Sequence, residues 1–285
     1  MLGADQENQL IETGNAIQKR HGFIVVQFLN HAYLNMTKSW ICNVDCFDDV
    51  LQHTVFITTD QAAYDGLHCW RPHLNVLLIE FGTEDSMSFG HINYYQFGLF
   101  RVRMINKLLA SNISVLITES DAVWFENPLH FFRKPTHLSD MHVNVENYNK
   151  GDRFCAGFLF LNATRATQRV WNTLTMRLSE RMSTLKDGQR KISAKGSEQI
   201  MLSNIAIRED PIELNYLPKD RFVSGQWYNS VKMQHNLTPV VLQNNYVIGN
   251  ENKIRRAKKW GHWFLSRDMV QCIVNVCQNL TPKKH

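Results

Sequence analysis

Val115-Leu-Ile-Thr-Glu-Ser-Asp121-Ala-Val-Trp124-Phe-Glu-Asn-Pro128 is a short apolar run that ends in two acids and then an aromatic residue. Val115 to Thr118 is β-branched and aliphatic and too short for a helix, which predicts a strand buried on both faces. Glu119 and Asp121 follow at its carboxyl end, the side of an open α/β sheet on which ligands bind. Two acids in one turn can direct their oxygens at one divalent cation. Taken alone, the stretch is described more simply as an ordinary acidic turn.

The composition is that of a globular protein. The chain has 285 residues, of which 44% are hydrophobic and 20% charged, and it lacks a Pro/Gly/Ser-rich linker, a charge block or a repeat. We therefore expect an N-terminal tail over residues 1–20 and a single domain over residues 21–285. The net charge of +5 and the basic run over residues 253–259 weakly favour an anionic ligand. Nucleic acid is not an expected partner, because no nucleic-acid-binding module is present.

Cysteine usage and sequence triplets bear on the compartment. The six cysteines show no CxxC pair or zinc-type spacing, and both disulfides and buried free thiols fit them. Five Asn-x-Ser/Thr triplets favour the secretory pathway; they begin at Asn35, Asn112, Asn162, Asn236 and Asn279. No apolar run approaches the roughly 18 residues of a membrane span, and the first residues lack the apolar core of a signal peptide. The sequence is thus expected to be cytosolic or an ectodomain whose membrane anchor is absent from this chain.

The order of predicted elements indicates an α/β fold. In the first half, strands are predicted at Phe23–Phe28, Val55–Thr58 and Leu74–Phe81, and an amphipathic helix at Ile92–Ala110 precedes the strand that ends at Glu119. In the second half, strands are predicted at His137–Val145 and Gly157–Leu161, helices at Thr164–Arg181 and Ser197–Ile207, and a polar loop at Met182–Gly196. Such alternation predicts a mainly parallel central sheet flanked by helices, which is a Rossmann-like arrangement.

Several motifs accompany the acidic pair. Arg101 stands in the preceding helix, eighteen residues before Glu119. The downstream motifs are Gly157-Phe158, Ser197-Glu198-Gln199, Leu217-Pro218 with Phe222-x-x-Gly225, and Gln243-Asn-Asn245 followed by Gly249 and Lys253. Together with the Glu119-Ser-Asp121 stretch, they resemble the nucleotide-diphospho-sugar transferases of glycosyltransferase family 77, retaining enzymes with the GT-A fold. Three positions differ from the family pattern: Glu119 and Glu198 stand where it has Asp, and Gln243 stands where it has His.

The resemblance implies roles for individual residues. It assigns Glu119, Asp121 and Gln243 to a divalent metal, Mn²⁺ or Mg²⁺, and it places Glu119 also within reach of the nucleotide ribose. It implies that Arg101, Gly157, Asn245, Gly249 and Lys253 contact the nucleotide sugar, with Lys253 on the diphosphate and Gly249 allowing close backbone approach. Glu198 and Gln199 are the implied catalytic residues on the donor-sugar face. By position after the first two strands, Asn30 and Asp60 are candidate base or ribose contacts.

The resulting functional expectation is a metal-dependent retaining glycosyltransferase of the Golgi or secretory pathway. Its donor would be a nucleotide sugar, most simply a UDP-sugar, and its acceptor a glycan or glycoprotein. The alternative is a catalytically weak or inactive GT-A-fold protein that binds nucleotide or glycan, because three motif positions differ from the family pattern. A nucleotidyltransferase is disfavoured, since no glycine follows the first strand to form a phosphate loop. Four tryptophans could line an acceptor groove or pack in the core; they are Trp124, Trp227, Trp260 and Trp263.

Overall fold

The computed structural model describes residues 4–81, 91–133, 139–145, 153–184 and 197–273, with Val276 and Leu280. The strands are β1 (Ile24–Leu29), β2 (Thr54–Thr58), β3 (Asn75–Leu78), β4 (Val115–Thr118), β5 (Val123–Trp124), β6 (Met141–Val145), β7 (Phe154–Leu161), β8 (Leu214–Tyr216), β9 (Phe222–Val223) and β10 (Val241–Leu242). The helices are α1 (Ala4–His21), α2 (Leu34–Val44), α3 (Val50–His53), α4 (Gln61–His68), α5 (Ile92–Ala110), α6 (Arg165–Ser183), α7 (Glu198–Asn204), α8 (Val231–Asn236) and α9 (Asn250–Trp260). Residues 185–196 of the predicted polar loop, and residues 137 and 138 of the predicted strand, lie outside the described part.

The main sheet has the strand order β3-β2-β1-β4-β7-β6-β8. The strands from β3 to β4 are parallel, whereas β7 is antiparallel to both β4 and β6. This confirms the predicted α/β class with a mainly parallel central sheet. The chain order reverses at β1, which has β2 on one side and β4 on the other. In open α/β sheets, ligands bind at the carboxyl ends of the strands beside such a reversal.

The amphipathic pattern of α5 accounts for its position. The predicted helix has the observed bounds, and its stripe, which includes Met104, Ile105 and Leu108, is buried against the sheet. The stripe also fixes which face of α5 points towards β4. Arg101, on the edge of that face, is thereby directed towards the carboxyl end of β4.

The N-terminal segment differs from the expectation for it. The sequence predicts a tail over residues 1–20, whereas Ala4–His21 forms α1. Leu10 and Ile17 are fully buried in the same hydrophobic core as α5. Gly14 lies between them, and a Cβ there would meet Ile113 and Leu108 at 3.0 and 3.2 Å. The buried stripe is only about one residue per turn wide, so the mostly polar sequence conceals it.

A second sheet holds the segment that follows the acids. Its strand order is β5-β10-β9, with Val241 opposite Trp124 and Leu242 opposite Val123 in an antiparallel pair. Asn43 secures the same segment by accepting a hydrogen bond from Trp124 N at 2.8 Å and donating one to Trp124 O at 2.9 Å. The pairing places Gln243, which follows β10, beside the turn that carries Asp121.

A disulfide links the C-terminal segment to α2. Cys42 is bonded to Cys272, and Cys46 is also disulfide-bonded, whereas the exposed Cys69 and the buried Cys155 are thiols outside any disulfide. Both alternatives for the cysteines are therefore realised in one molecule. Among the described helices, none is both long and apolar enough to span a lipid bilayer.

Candidate active site

A cavity of about 510 Å³ opens at the carboxyl ends of β1 and β4. Its volume falls within the range of small-molecule sites. β7 contributes its amino-terminal half, because its antiparallel pairing sets Phe158 opposite Thr118 at the end of β4. Nine of the residues predicted for the site line this cavity; they are Arg101, Glu119, Asp121, Gly157, Glu198, Gln199, Asn245, Gly249 and Lys253.

Asp121 and Lys253 form a buried ion pair on one wall of the cavity. Lys253 Nζ lies 2.6 Å from Asp121 Oδ2, and the two side chains are 21% and 3% exposed. Burial alone would lower the pKa of Lys253, but the nearby carboxylates of Asp121 and Glu119 raise it above its ordinary value. Lys253 therefore stays charged, and this cation lies where an anionic ligand in the cavity could reach it.

Arg101 joins the two glutamates of the site. Its guanidinium donates to Glu119 Oε1 at 3.2 Å and to Glu198 Oε1 at 3.0 Å, and also to the carbonyl of Ala156. Burial opposes the charge of Arg101, yet the carboxylates of Glu198 and Glu119 outweigh it and raise the pKa of Arg101. The fork geometry of guanidinium suits such simultaneous contacts, which a lysine could not make in the same way.

Helix α7 presents Glu198 and Gln199 to the cavity. Ser197 caps the helix by accepting from Ile200 N, which fixes where the first turn begins. Burial raises the pKa of Glu198, and Arg101 offsets this only in part while Glu119 adds to it. Gln199 Oε1 accepts from Ala156 N at 3.1 Å. That bond orients the amide, so Gln199 has its NH₂ group left for other partners.

Two glycines make room for the carboxylates. A Cβ on Gly157 would lie 2.6 Å from the carboxyl carbon of Glu119, and a Cβ on Gly98 would lie 3.0 Å from Glu198 Oε2. The ligand contact expected of Gly157 stays a prediction, whereas the structure shows that its lack of a side chain accommodates the longer acid at position 119. The extra methylene of Glu119 is thus matched by the missing side chain opposite it.

Asn245 anchors the loop that closes one side of the cavity. Its Oδ1 accepts from Gly225 N at 2.6 Å, and its carbonyl accepts from Arg256. A Cβ on Gly225 would lie 2.0 Å from the Asn245 carbonyl oxygen, so only glycine fits there. Gly249 has φ +87°, a backbone conformation that favours glycine, directly before α9.

Three of the predicted residues lie outside the cavity lining. Asp60 caps α4: its Oδ1 accepts from Ala63 N and its Oδ2 from His31 N, both at 2.7 Å. Asn30 is fully buried at the end of β1. The Asp60 carboxylate thus accepts from backbone N–H groups and Asn30 is buried, so neither lines the cavity, and their contact with a nucleotide stays a prediction. Gln243 is 1% exposed and does not line the cavity.

Sequence reasoning missed the apolar part of the lining. Tyr94 and Phe97 of α5 and Tyr246 and Ile248 of the loop before α9 all line the cavity. The signal was present, since the loop residues lie between the Asn245 and Gly249 motif positions. The four tryptophans considered for an acceptor groove are all buried. Of the two alternatives for them, core packing is therefore the one realised.

The region around Asp121 offers oxygen atoms that a divalent cation could bind. Within the described residues, Asp121 Oδ1 and both amide atoms of Gln243 are buried and have no hydrogen-bond partner. Such oxygens suit Mn²⁺ or Mg²⁺. The described residues contain no group of three His, Cys, Asp or Glu side chains around one point. A cation here would therefore depend on Asp121, an amide oxygen, water and the ligand's own phosphates.

The fold and the cavity together define an α/β protein with a charged site at a sheet reversal, and comparisons assign its family. The model of the nucleotide-diphospho-sugar transferase family matches residues 49–257. This chain belongs to that family. The prediction of a nucleotide-sugar transferase with a GT-A fold is thereby confirmed.

Curated relatives are distant. A UDP-galactose:fucoside alpha-3-galactosyltransferase of Dictyostelium discoideum is 24% identical over 206 residues, covering 68% of this chain and 32% of the relative. The chain thus spans about a third of that protein's length. A UDP-D-xylose:L-fucose alpha-1,3-D-xylosyltransferase of Arabidopsis thaliana is 21% identical over 272 residues, covering 86% of this chain and 70% of the relative.

Solved structures share the fold. The glycosyltransferase GlyE of Streptococcus pneumoniae superposes with a TM-score of 0.51 at 14% identity, covering 92% of this chain and 65% of GlyE. The galactosyltransferase LgtC, solved with donor and acceptor sugar analogues, gives 0.52 at 12% identity, with 83% and 96% covered. At these identities the similarity concerns the fold.

Proposed function

We propose that this chain transfers a sugar from a UDP-sugar to a fucose residue of a glycan, with retention of configuration and with the help of a divalent metal. The observation that carries the proposal is the convergence of three acids and two cations, from separate segments, on one cavity. The names of the curated relatives support the donor and the acceptor, since they include UDP-galactose or UDP-xylose and a fucoside or L-fucose.

The charges in the cavity suit the transition state of glycosyl transfer. The bond between the anomeric carbon and the diphosphate breaks, negative charge accumulates on the diphosphate, and positive charge develops on the sugar. Lys253 supplies a fixed cation to the diphosphate. A bound divalent cation, held by Asp121 and the Gln243 amide oxygen, would supply further positive charge to that leaving group.

Glu198 and Gln199 contact the sugar of the donor, at the opposite end from the diphosphate. The Glu198 carboxylate, held by Arg101, carries negative charge for the developing positive charge on the sugar ring. The Gln199 NH₂ group, oriented by the bond to Ala156, can donate to a sugar hydroxyl. Burial raises the pKa of Glu198, and the Arg101 guanidinium opposes that rise, which favours the ionised form that the charge-stabilising role requires.

We also place the protein in the secretory pathway, in the Golgi lumen. The Cys42–Cys272 disulfide supports this, because disulfides persist in oxidising compartments. Among the predicted glycosylation triplets, Asn112 lies exposed in a turn, whereas Asn162 donates its side-chain amide to the carbonyl of Ser139. Asn279 lies outside the described residues.

Donor hydrolysis and transfer test the proposal. Purified protein is incubated with UDP-galactose, UDP-xylose and other nucleotide sugars, with Mn²⁺ or with a chelator, and with an L-fucoside acceptor. We expect Mn²⁺-dependent transfer from one UDP-sugar and its loss in Asp121→Asn. Asp220→Asn, the same change at an exposed acid that does not line the cavity, is the matched control and should keep full activity. Well-folded protein that binds UDP but turns over no donor would instead support the inactive binding protein.

A further inference from the structure

The solvent-exposed part of the cavity carries two large apolar side chains. Tyr246 is 44% exposed and Ile248 is 68% exposed, and both line the cavity. Partly exposed apolar side chains that cluster at a cavity form a surface suited to ligand contact. The inner wall, by contrast, carries the ion pairs of Lys253 and Arg101.

The backbone at Tyr246 is held in an unusual conformation. Its φ is +59°, in the left-handed region that bulky side chains rarely adopt. The anchoring of Asn245 to Gly225 and Arg256 fixes the residue immediately before it. Strain retained in this way is concentrated at functional sites. Here its effect is that the aromatic ring is placed on the cavity rather than in the core.

The charge distribution indicates which ligand meets these side chains. The diphosphate requires the cations of the inner wall, so the donor takes that part of the cavity. The acceptor then approaches on the solvent side, where Tyr246 and Ile248 lie. A sugar that packs against these two side chains must present an apolar surface of its own.

We propose that Tyr246 and Ile248 form an acceptor subsite for a 6-deoxyhexose, an inference that rests on the proposed function. The Tyr246 ring stacks on the C–H face of the sugar, and Ile248 contacts the C6 methyl group. A hexose with a hydroxyl at C6 would place that hydroxyl against the Ile248 side chain, where it would give up hydrating water and gain no hydrogen bond from that side chain. The two residues thus select the acceptor and leave the donor contacts to the inner wall.

The experiment compares two acceptors that differ only at C6, an L-fucoside and an L-galactoside. With saturating donor and Mn²⁺, we expect kcat/KM to favour the fucoside by about 10- to 100-fold, the discrimination an apolar pocket can reach against an added hydroxyl. Ile248→Ser should reduce this preference to about threefold or less. Val231→Ser, the same type of change at a 61% exposed residue of α8 outside the cavity lining, should retain the full preference.

Further measurements separate the possible failures. Tyr246→Ala should raise the acceptor KM about tenfold with little change in UDP affinity by calorimetry, whereas Tyr246→Phe should restore acceptor binding. Thermal unfolding shows that each variant is folded. Equal use of both acceptors by the unchanged protein, or an undiminished preference in Ile248→Ser, overturns the subsite and leaves the proposed function in place. Absence of UDP binding and of transfer to either acceptor overturns both.

Discussion

Arg101 holds two carboxylates inside the cavity, and replacing it by methionine removes their common cation while preserving much of the side-chain volume. The Arg101 and Glu198 side chains are only 13% and 15% exposed, whereas Glu119 is 36% exposed. Removing one partner of a buried ion pair costs about 3–5 kcal/mol, because the other charge stays buried and unpaired. Glu119 can turn towards water, so we expect Arg101→Met to lower the free energy of unfolding by about 3 kcal/mol at neutral pH.

The loss of stability in Arg101→Met should be larger at higher pH. Burial already raises the pKa of Glu198, and removal of Arg101 raises it further. An acid whose pKa is higher in the folded than in the unfolded state holds its proton more tightly in the folded state. The free energy of unfolding therefore falls as the pH rises from the unfolded-state pKa to the folded-state pKa, because the folded protein must then bury a charge. The deficit of Arg101→Met should therefore be smaller near pH 5 than near pH 7.5.

Urea unfolding followed by circular dichroism at both pH values measures the effect. The matched control is Arg103→Met, since Arg103 lies on the same helix but is exposed. The assignment of Arg101 as the buried counter-ion is refuted if its loss costs less than about 1 kcal/mol, equals that of Arg103→Met, or does not change with pH.

Three further predictions concern backbone space and pH. Gly157→Ala should leave the fold intact but reduce turnover about tenfold or more, because its Cβ would lie 2.6 Å from the Glu119 carboxyl carbon and displace that acid; steady-state kinetics with unchanged melting would support this. Gly225→Ala should destabilise the fold by about 3 kcal/mol, since its Cβ would lie 2.0 Å from the backbone oxygen of Asn245; a melting temperature equal to wild type would contradict it. Burial lowers the pKa of His53 to about 4, so stability should fall as the pH drops from about 6.5 towards 4, by at most about 3 kcal/mol. In His53→Leu this part of the pH dependence should vanish in the same urea titration.

Local patterns were enough to predict the main elements of the fold. The helix Ile92–Ala110 has the observed bounds because nineteen residues of 3.6-residue periodicity leave little ambiguity. Thr164 and Ser197 cap α6 and α7, and Thr and Ser are among the residues that helix N-termini favour. Local patterns do not predict helix α1, because its buried stripe is narrow. The few apolar residues of that stripe are buried only because α5 and the sheet pack against them.

The candidate site also has residues that the sequence predicts and others whose role depends on the fold. Residue types at strand ends and within motifs pointed to Glu119, Asp121, Glu198 and Lys253, because the charge of an acidic or basic side chain is known from the sequence alone. Asp60 shows the limit of that reasoning, since a carboxylate after a strand can cap a helix as readily as it can bind a ligand.

The class of fold, the family motifs and the charged groups available for binding a nucleotide sugar therefore follow from the order of residues along the chain. Which of those groups contact one another depends on how the chain folds in three dimensions. Arg101 and Glu198 are 97 residues apart, and Asp121 and Lys253 are 132 apart. Their contacts depend on the order of strands in the sheet and on the pairing of β10 with β5. The exposure of Tyr246 depends likewise on its anchored backbone, because local propensity would not place an aromatic residue at positive φ.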